Sequence, residues 1–216
     1  MLRAIASLVL AAGLSAHAGA SDDPCKTDRS QELKSLYDAD QRDRSVDWSR
    51  QSPEALKKIE RRDDKRRKRV AAIFAEGCLR TADDYFHAAM VFQHGPAAEH
   101  SYQTYIWASR AVLLGKEDAK ILVTCGIDRH LMTRGQKQIY ATQGSQLPGD
   151  PNGCYCLWPV EESSTDEDRR KLGAKTVAEQ LTWIDGLNAG KTCKPAVICP
   201  FEAKPVPRGS LPGVDW

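Results

Sequence analysis

"YIWASRAVLLGKEDAKILVTCGIDRHLMTRG", residues 105–135, decides the fold class. Apolar residues recur at helical spacing on both sides of Gly115, and a second glycine, Gly135, closes the run. Glycine tolerates the left-handed turn that ends a helix. The stretch therefore reads as two helices, from about Ala98 to Leu114 and from about Glu117 to Arg134. The small residues Ala108, Ala111 and Ala119 mark where paired helices pack closely.

Working toward the N-terminus, the same signals repeat. Thr81 and Asp84 form a capping box that opens a helix ending at Gly95. Ser52 and Pro53 supply a cap and first position for a long helix that stops at Gly77. A further helix runs from Ser30 to about Arg44, with Leu33, Leu36 and Tyr37 on one side. Residues 1–20 have one basic residue, an apolar core from Ala4 to Leu14 and Ala18-Gly19-Ala20 before Ser21, which predicts a secretory signal peptide. No later segment has transmembrane length.

Working toward the C-terminus, the period changes. Residues 137–143 and 153–158 alternate, and "QLPGDPNG" between them is rich in turn formers, which predicts a β-hairpin near residues 137–159. Ser164 with Glu167 and Thr176 with Glu179 are read as capping boxes of two more helices, the second from Val177 to Leu187. Residues 191–216 read as an extended tail, and the part from Lys194 onward holds five prolines. The expectation is a mostly α domain over residues 21–190, built of packed antiparallel helix pairs.

The chain has 216 residues, a net charge of +2 and seven cysteines. Near-balanced charge gives no global reason to expect nucleic acid. The run "KKIERRDDKRRKR", residues 57–69, is strongly basic but lacks interleaved aromatics, so it reads as a solvated helix face. An exported chain favours disulfides, and an odd count leaves one thiol over. Pairing of Cys154 or Cys156 with Cys193 or Cys199 is expected, and of Cys78 with Cys125.

Helical angles single out unusual charges. Leu56, Ile59, Val70 and Phe74 share one stripe of the long helix, and Asp63 and Arg67 fall within it. Asp40 and Arg44 continue the stripe of Leu33, Leu36 and Tyr37, while Asp128 points inward with Arg129 at the margin. Buried charges are costly unless paired. Two readings stay open: structural ion pairs that fix helix packing, or a shared pocket whose arginines bind an anionic or polar ligand. If the helical phase is wrong, the charges are simply exposed.

Catalytic motifs are absent: there is no G-x-S-x-G, phosphate-binding glycine loop or H-E-x-x-H. His87 and His94 are seven apart, which does not match helix-borne metal ligands, so no metal or cofactor is expected. His94, at a helix end, is the one candidate general acid or base.

Two resemblances bear on these residues. "DYFHAAMVFQHG" followed by residues 105–135 resembles tetratricopeptide and Sel-like helical repeats over about one and a half units. "LYDADQRDR", "RRDDKRRKRV", "AAMVFQHG", "DRHLMTRGQKQIYATQ" and "DEDRRKLGAKTVAEQLTWI" together resemble an uncharacterised bacterial domain of unknown function, over roughly residues 33–187. Its pattern is Q-H, D-R, then G-x-x-Q-x-Y-G-T-Q. Ala141 stands where that pattern has Gly. The resemblance implies no activity, but it singles out Gln93, His94, Asp128, Arg129, Gln138, Tyr140, Thr142 and Gln143.

The expected site is a polar pocket of Asp63, Arg67, Gln93, His94, Asp128, Arg129, Gln138, Tyr140, Thr142 and Gln143, serving a binding or protein-interaction module. A partner would be another protein or a polar or anionic small molecule, with no nucleic acid and no membrane span after signal cleavage. The alternatives are a hydrolase or transferase with His94 as base and Arg129 or Arg67 stabilising an anion, which His94 within reach of Asp128 in an open cleft would favour, and an immunity or inhibitor protein for an exported toxin.

Overall fold

A computed structural model describes residues 23–46, 50–207 and 209–211. The expected signal peptide lies outside these residues. Helices dominate: α1 (Ser30–Arg44), α2 (Pro53–Ala75), α3 (Ala82–Phe92), α4 (Ala98–Leu113) and α5 (Lys120–Thr133), the last entered through a 3₁₀ turn at Glu117–Ala119. A two-stranded antiparallel sheet follows, β1 (Gly144–Gln146) with β2 (Tyr155–Leu157), then α6 (Asp166–Lys171) and α7 (Val177–Leu187).

Local chemistry sets most boundaries. The Ser52 hydroxyl accepts from the Ala55 amide at 3.2 Å, and Thr81 with Asp84 closes a reciprocal capping box. Gly77, Gly115 and Gly135 take positive φ as helix stops. Gly95 does not. A Cβ there would lie 2.3 Å from His100 Nδ1, so Gly95 serves close approach rather than a left-handed turn. The cap of α6 is Thr165 with Asp168, one residue beyond the expected Ser164 and Glu167.

The core runs along a series of packed helices, α1 on α3, α3 on α4 and α4 on α5. Ala88, Ala89, Ala108 and Ala111 are sealed between helices. On α5, a Cβ at Gly126 would meet the Tyr105 backbone nitrogen of α4 at 2.8 Å, so only glycine permits this α4–α5 spacing. The stripe on α2 is corrected by one residue. Phe74 is 50% exposed and Ile73 fills the core position instead. A 23-residue helix with a nonideal angular drift makes that error easy near its end.

The helix pair α1–α2 is joined by charge. Arg69 donates to Glu32 at 2.8 Å, Arg29 to Glu76 at 2.7 Å, Arg62 and Arg66 each reach Asp43 at 2.7 Å, and Arg44 reaches Asp63 at 2.8 Å. Within the basic run, Asp63, Arg66 and Arg67 turn inward while Lys57, Lys58, Arg61 and Lys65 are exposed.

Disulfides join Cys25–Cys78, Cys154–Cys193 and Cys156–Cys199, leaving Cys125 free. The expected Cys78–Cys125 pair is thus corrected: Cys78 leaves α2 beside the N-terminal segment, and Cys125 lies on α5. The tail is tied down by more than its cysteines. The Cys199 amide donates to the Leu157 carbonyl at 2.8 Å, the Lys204 amide donates to the Gly135 carbonyl at 2.9 Å, and the Lys204 carbonyl accepts from the Lys137 amide at 2.8 Å. No described helix is long and apolar enough to cross a membrane.

Candidate functional site

Residues 137–143, expected as the first hairpin strand, are instead a loop wrapped around one carboxylate. Asp128 is fully buried and accepts from the amides of Ile139 (2.8 Å), Tyr140 (3.0 Å) and Thr142 (2.9 Å), and from the Thr142 hydroxyl (2.8 Å). Burial raises its pKa, opposed by these same donors. Gln138, also fully buried, clamps the loop shut: its side chain donates to Gln143 O (3.0 Å) and Trp158 O (2.7 Å) and accepts from the Gln143 amide (2.8 Å). The alternation misled because Gln138, Tyr140, Thr142 and Gln143 all turn inward, onto Asp128 or into the core, rather than sharing one face of a strand. Ala141 takes φ 58°, the left-handed region that ordinarily favours Gly.

The expected pocket therefore divides. Asp128, Gln138, Tyr140 and Thr142 are core. Asp63, Gln93, His94 and Arg129 line an open cleft of about 580 Å³, together with Arg44, Leu56, Ile59, Glu60 and Gly95. It continues into a second lobe lined by Glu60, Asp63, Arg67, His94 and Pro96. The two layers touch through Arg129, which donates to Gln143 Oε1 at 3.2 Å and to the carbonyl oxygen of Gln93.

Arg44, Glu60, Leu56 and Ile59 were missing from the expected site. Helical angle turns Arg44, Leu56 and Ile59 inward; only the crossing of α1 over α2 shows that they face one opening.

Charge in the cleft is uneven. Asp40, Asp43 and Asp63 are matched by Arg44, Arg62 and Arg66 in a continuous network. Among the described residues Arg129 has no carboxylate partner; its acceptors there are uncharged, and burial lowers its pKa. Among the described residues the one carboxylate that Arg67 reaches is Asp64, at 3.8 Å. Glu60 is exposed at the rim, where water screens it.

No family model, curated protein or solved structure matches this chain. The site must be read from its own geometry.

His94 does not contact Asp128. Its Nε2 lies 3.5 Å from Asp40 Oδ2, with the His94 side chain 26% exposed to the cleft. Burial first, then the positive charge of Arg44 and Arg129, pushes the imidazole down to about 3. Burial raises the Asp40 carboxyl to about 6 against the pull of Arg44 and Arg66. At neutral pH the pair is an uncharged ring beside an ionised carboxylate. Among the described residues there is no cluster of three metal-ligating side chains.

Proposed function

We propose that this chain is an exported binding protein, periplasmic or secreted, whose cleft takes an anionic group carried by a polar small molecule or by a partner protein. The observation that carries the reading is Arg129, a guanidinium on the cleft wall whose acceptors among the described residues are all neutral. A half-buried cation without a counter-charge gains most from an incoming carboxylate or phosphate. His94, held neutral, can donate or accept one further hydrogen bond without repelling an anion. Three disulfides support an oxidising compartment, as the N-terminal sequence does.

Calorimetric titration with inorganic phosphate and with succinate tests this. Arg129→Gln should weaken binding about tenfold or more, and added salt should weaken it further. Equal affinity of Arg129→Gln and the parent chain would sink the proposal.

The Asp40–His94 contact favours a second reading, a hydrolase or transferase with His94 as base. It ranks lower because a base with a pKa of about 3 takes protons poorly at neutral pH.

A further inference from the structure

A separate pocket of about 300 Å³ opens between the N-terminal halves of α1 and α3, lined by Gln31, Lys34, Thr81, Asp83, Asp84 and His87. It shares no lining residue with either lobe of the Arg129 cleft.

Two of its lining side chains carry buried atoms without a partner. Asp84 is 1% exposed, and its Oδ2 accepts from the amides of Arg80 (3.1 Å) and Thr81 (2.9 Å). Its Oδ1 is buried with no hydrogen-bond partner among the described residues. His87 Nδ1, one helical turn further along α3, is buried and unpaired in the same way, so the two do not satisfy each other. Buried polar atoms are rarely left so, because the lost hydration is not repaid. The nearby ammonium groups are already engaged: Lys34 Nζ lies 2.6 Å from Asp38, and Lys116 Nζ 3.0 Å from Asp83. Asp84 itself makes no ion pair among the described residues.

The sign of the missing partner follows from what is left over. Helix N-termini alone favour an anion. Here their amides are answered from within: Ser30 N by Asp28 at 2.8 Å, Asp84 N by the Thr81 hydroxyl at 3.1 Å. Burial holds the His87 imidazole below its usual pKa, so the ring is neutral at neutral pH and Nδ1 can accept in the Nε2–H tautomer. The unpaired atoms are therefore acceptors, and an entering group must donate. Asp83 and Asp84 favour a donor that is also positive. No three metal-ligating groups converge among the described residues, which points to an organic cation.

We propose that this pocket binds a small primary ammonium compound, an alkylamine. One N–H donates to Asp84 Oδ1, a second donates to His87 Nδ1, and the Asp83 carboxylate adds charge at the mouth. The carbon chain lies along the stems of Gln31 and Lys34. The volume equals about ten waters, room for an ammonium on a chain of a few carbons rather than for a peptide.

Nitrogen NMR of the imidazole rings at neutral pH reads Nδ1 directly, with His87 assigned as the resonance lost in His87→Phe. Titrated n-butylammonium should move the His87 Nδ1 resonance in a saturable way. Tetramethylammonium has the charge but no N–H, and n-butanol has a donor but no charge. Each should bind at least about tenfold more weakly at matched ionic strength. By calorimetry, Asp84→Asn should weaken n-butylammonium binding about tenfold. Asp84 also caps α3, so His87→Phe is the second variant. It keeps a ring beside Tyr37, where the native centroids are 4.8 Å apart, and should weaken binding about fivefold. Glu167→Gln, an exposed acid on α6, should change nothing. No saturable shift with n-butylammonium, equal binding of the three compounds, or full affinity in the folded variants at positions 84 and 87 would each overturn the proposal.

Discussion

Asp128 holds Thr142 twice, through its backbone amide at 2.9 Å and its hydroxyl at 2.8 Å, across fourteen positions of sequence. One carboxylate thereby fixes the turn that carries Gln143 to Arg129. The loop has no ladder of its own at this point, so the carboxylate replaces the missing strand partner.

Asp128→Ala would leave the amides of Ile139, Tyr140 and Thr142 buried without acceptors. At about 1–3 kcal/mol for each unsatisfied group, a loss of at least about 3 kcal/mol is expected in urea unfolding. Thr142→Val removes only the hydroxyl bond and should cost about 1 kcal/mol. Equal, small losses in both would show that Asp128 does not organise the loop.

Acid behaviour should depend on His94 and Asp40 in opposite senses. His94 is depressed from 6.5 to about 3, so below pH 6.5 the unfolded chain binds a proton that the native one refuses, and stability falls as pH drops. Asp40 is raised from 3.8 to about 6, so between these values the native chain keeps a proton that the unfolded one releases, and stability falls as pH rises. The two slopes oppose each other from about pH 4 to 6. His94→Gln should gain on the parent chain as pH drops below 6.5. Asp40→Asn should gain on it as pH rises from 4 to 6. Thermal unfolding across that range checks both signs.

Ala141 sits at φ 58° and is fully buried. Glycine there relieves about 1–2 kcal/mol of left-handed strain but gives up a buried methyl and some unfolded-state restriction, so Ala141→Gly should stay within about 1 kcal/mol of the parent. Ala141→Val adds β-branching where φ is positive and should lose more than about 2 kcal/mol. Comparable stability of the valine and glycine variants would contradict the backbone assignment.

The Cys25–Cys78 bond closes 53 residues around α1 and α2, which several ion pairs also join. Chain-entropy arguments give about 4 kcal/mol for a loop of this size. The Cys25→Ser, Cys78→Ser double variant should therefore lose about 2–4 kcal/mol, and the loss should grow in high salt, where the ladder is screened. A salt-independent loss would indicate that α1 and α2 are held by packing alone.

Helix existence was legible because caps and glycine stops act within a few residues: Ser52, Thr81, Thr176, Gly77, Gly115 and Gly135 all behave as their local chemistry demands. The inward turn of Asp63, Arg67 and Asp128 was legible from helical angle. What angle cannot say is which inward charges meet, and so Asp128 and Arg129, neighbours in sequence, belong to a core and to a cleft. The 137–143 loop was misread because alternating side chains satisfy a strand and a carboxylate-centred turn equally well.

Gly126 precedes Arg129 by less than one helical turn, and its missing side chain is what lets α5 lie against Tyr105. The reach of Arg129 toward Gln93 is thus gauged by a contact that never sees solvent. A single methyl at position 126 would act as a wedge, backing α5 away and withdrawing the guanidinium from the opening without altering any residue that lines it. The cleft is in this sense calibrated from behind, and changes to its shape can arise in the core as readily as at the rim.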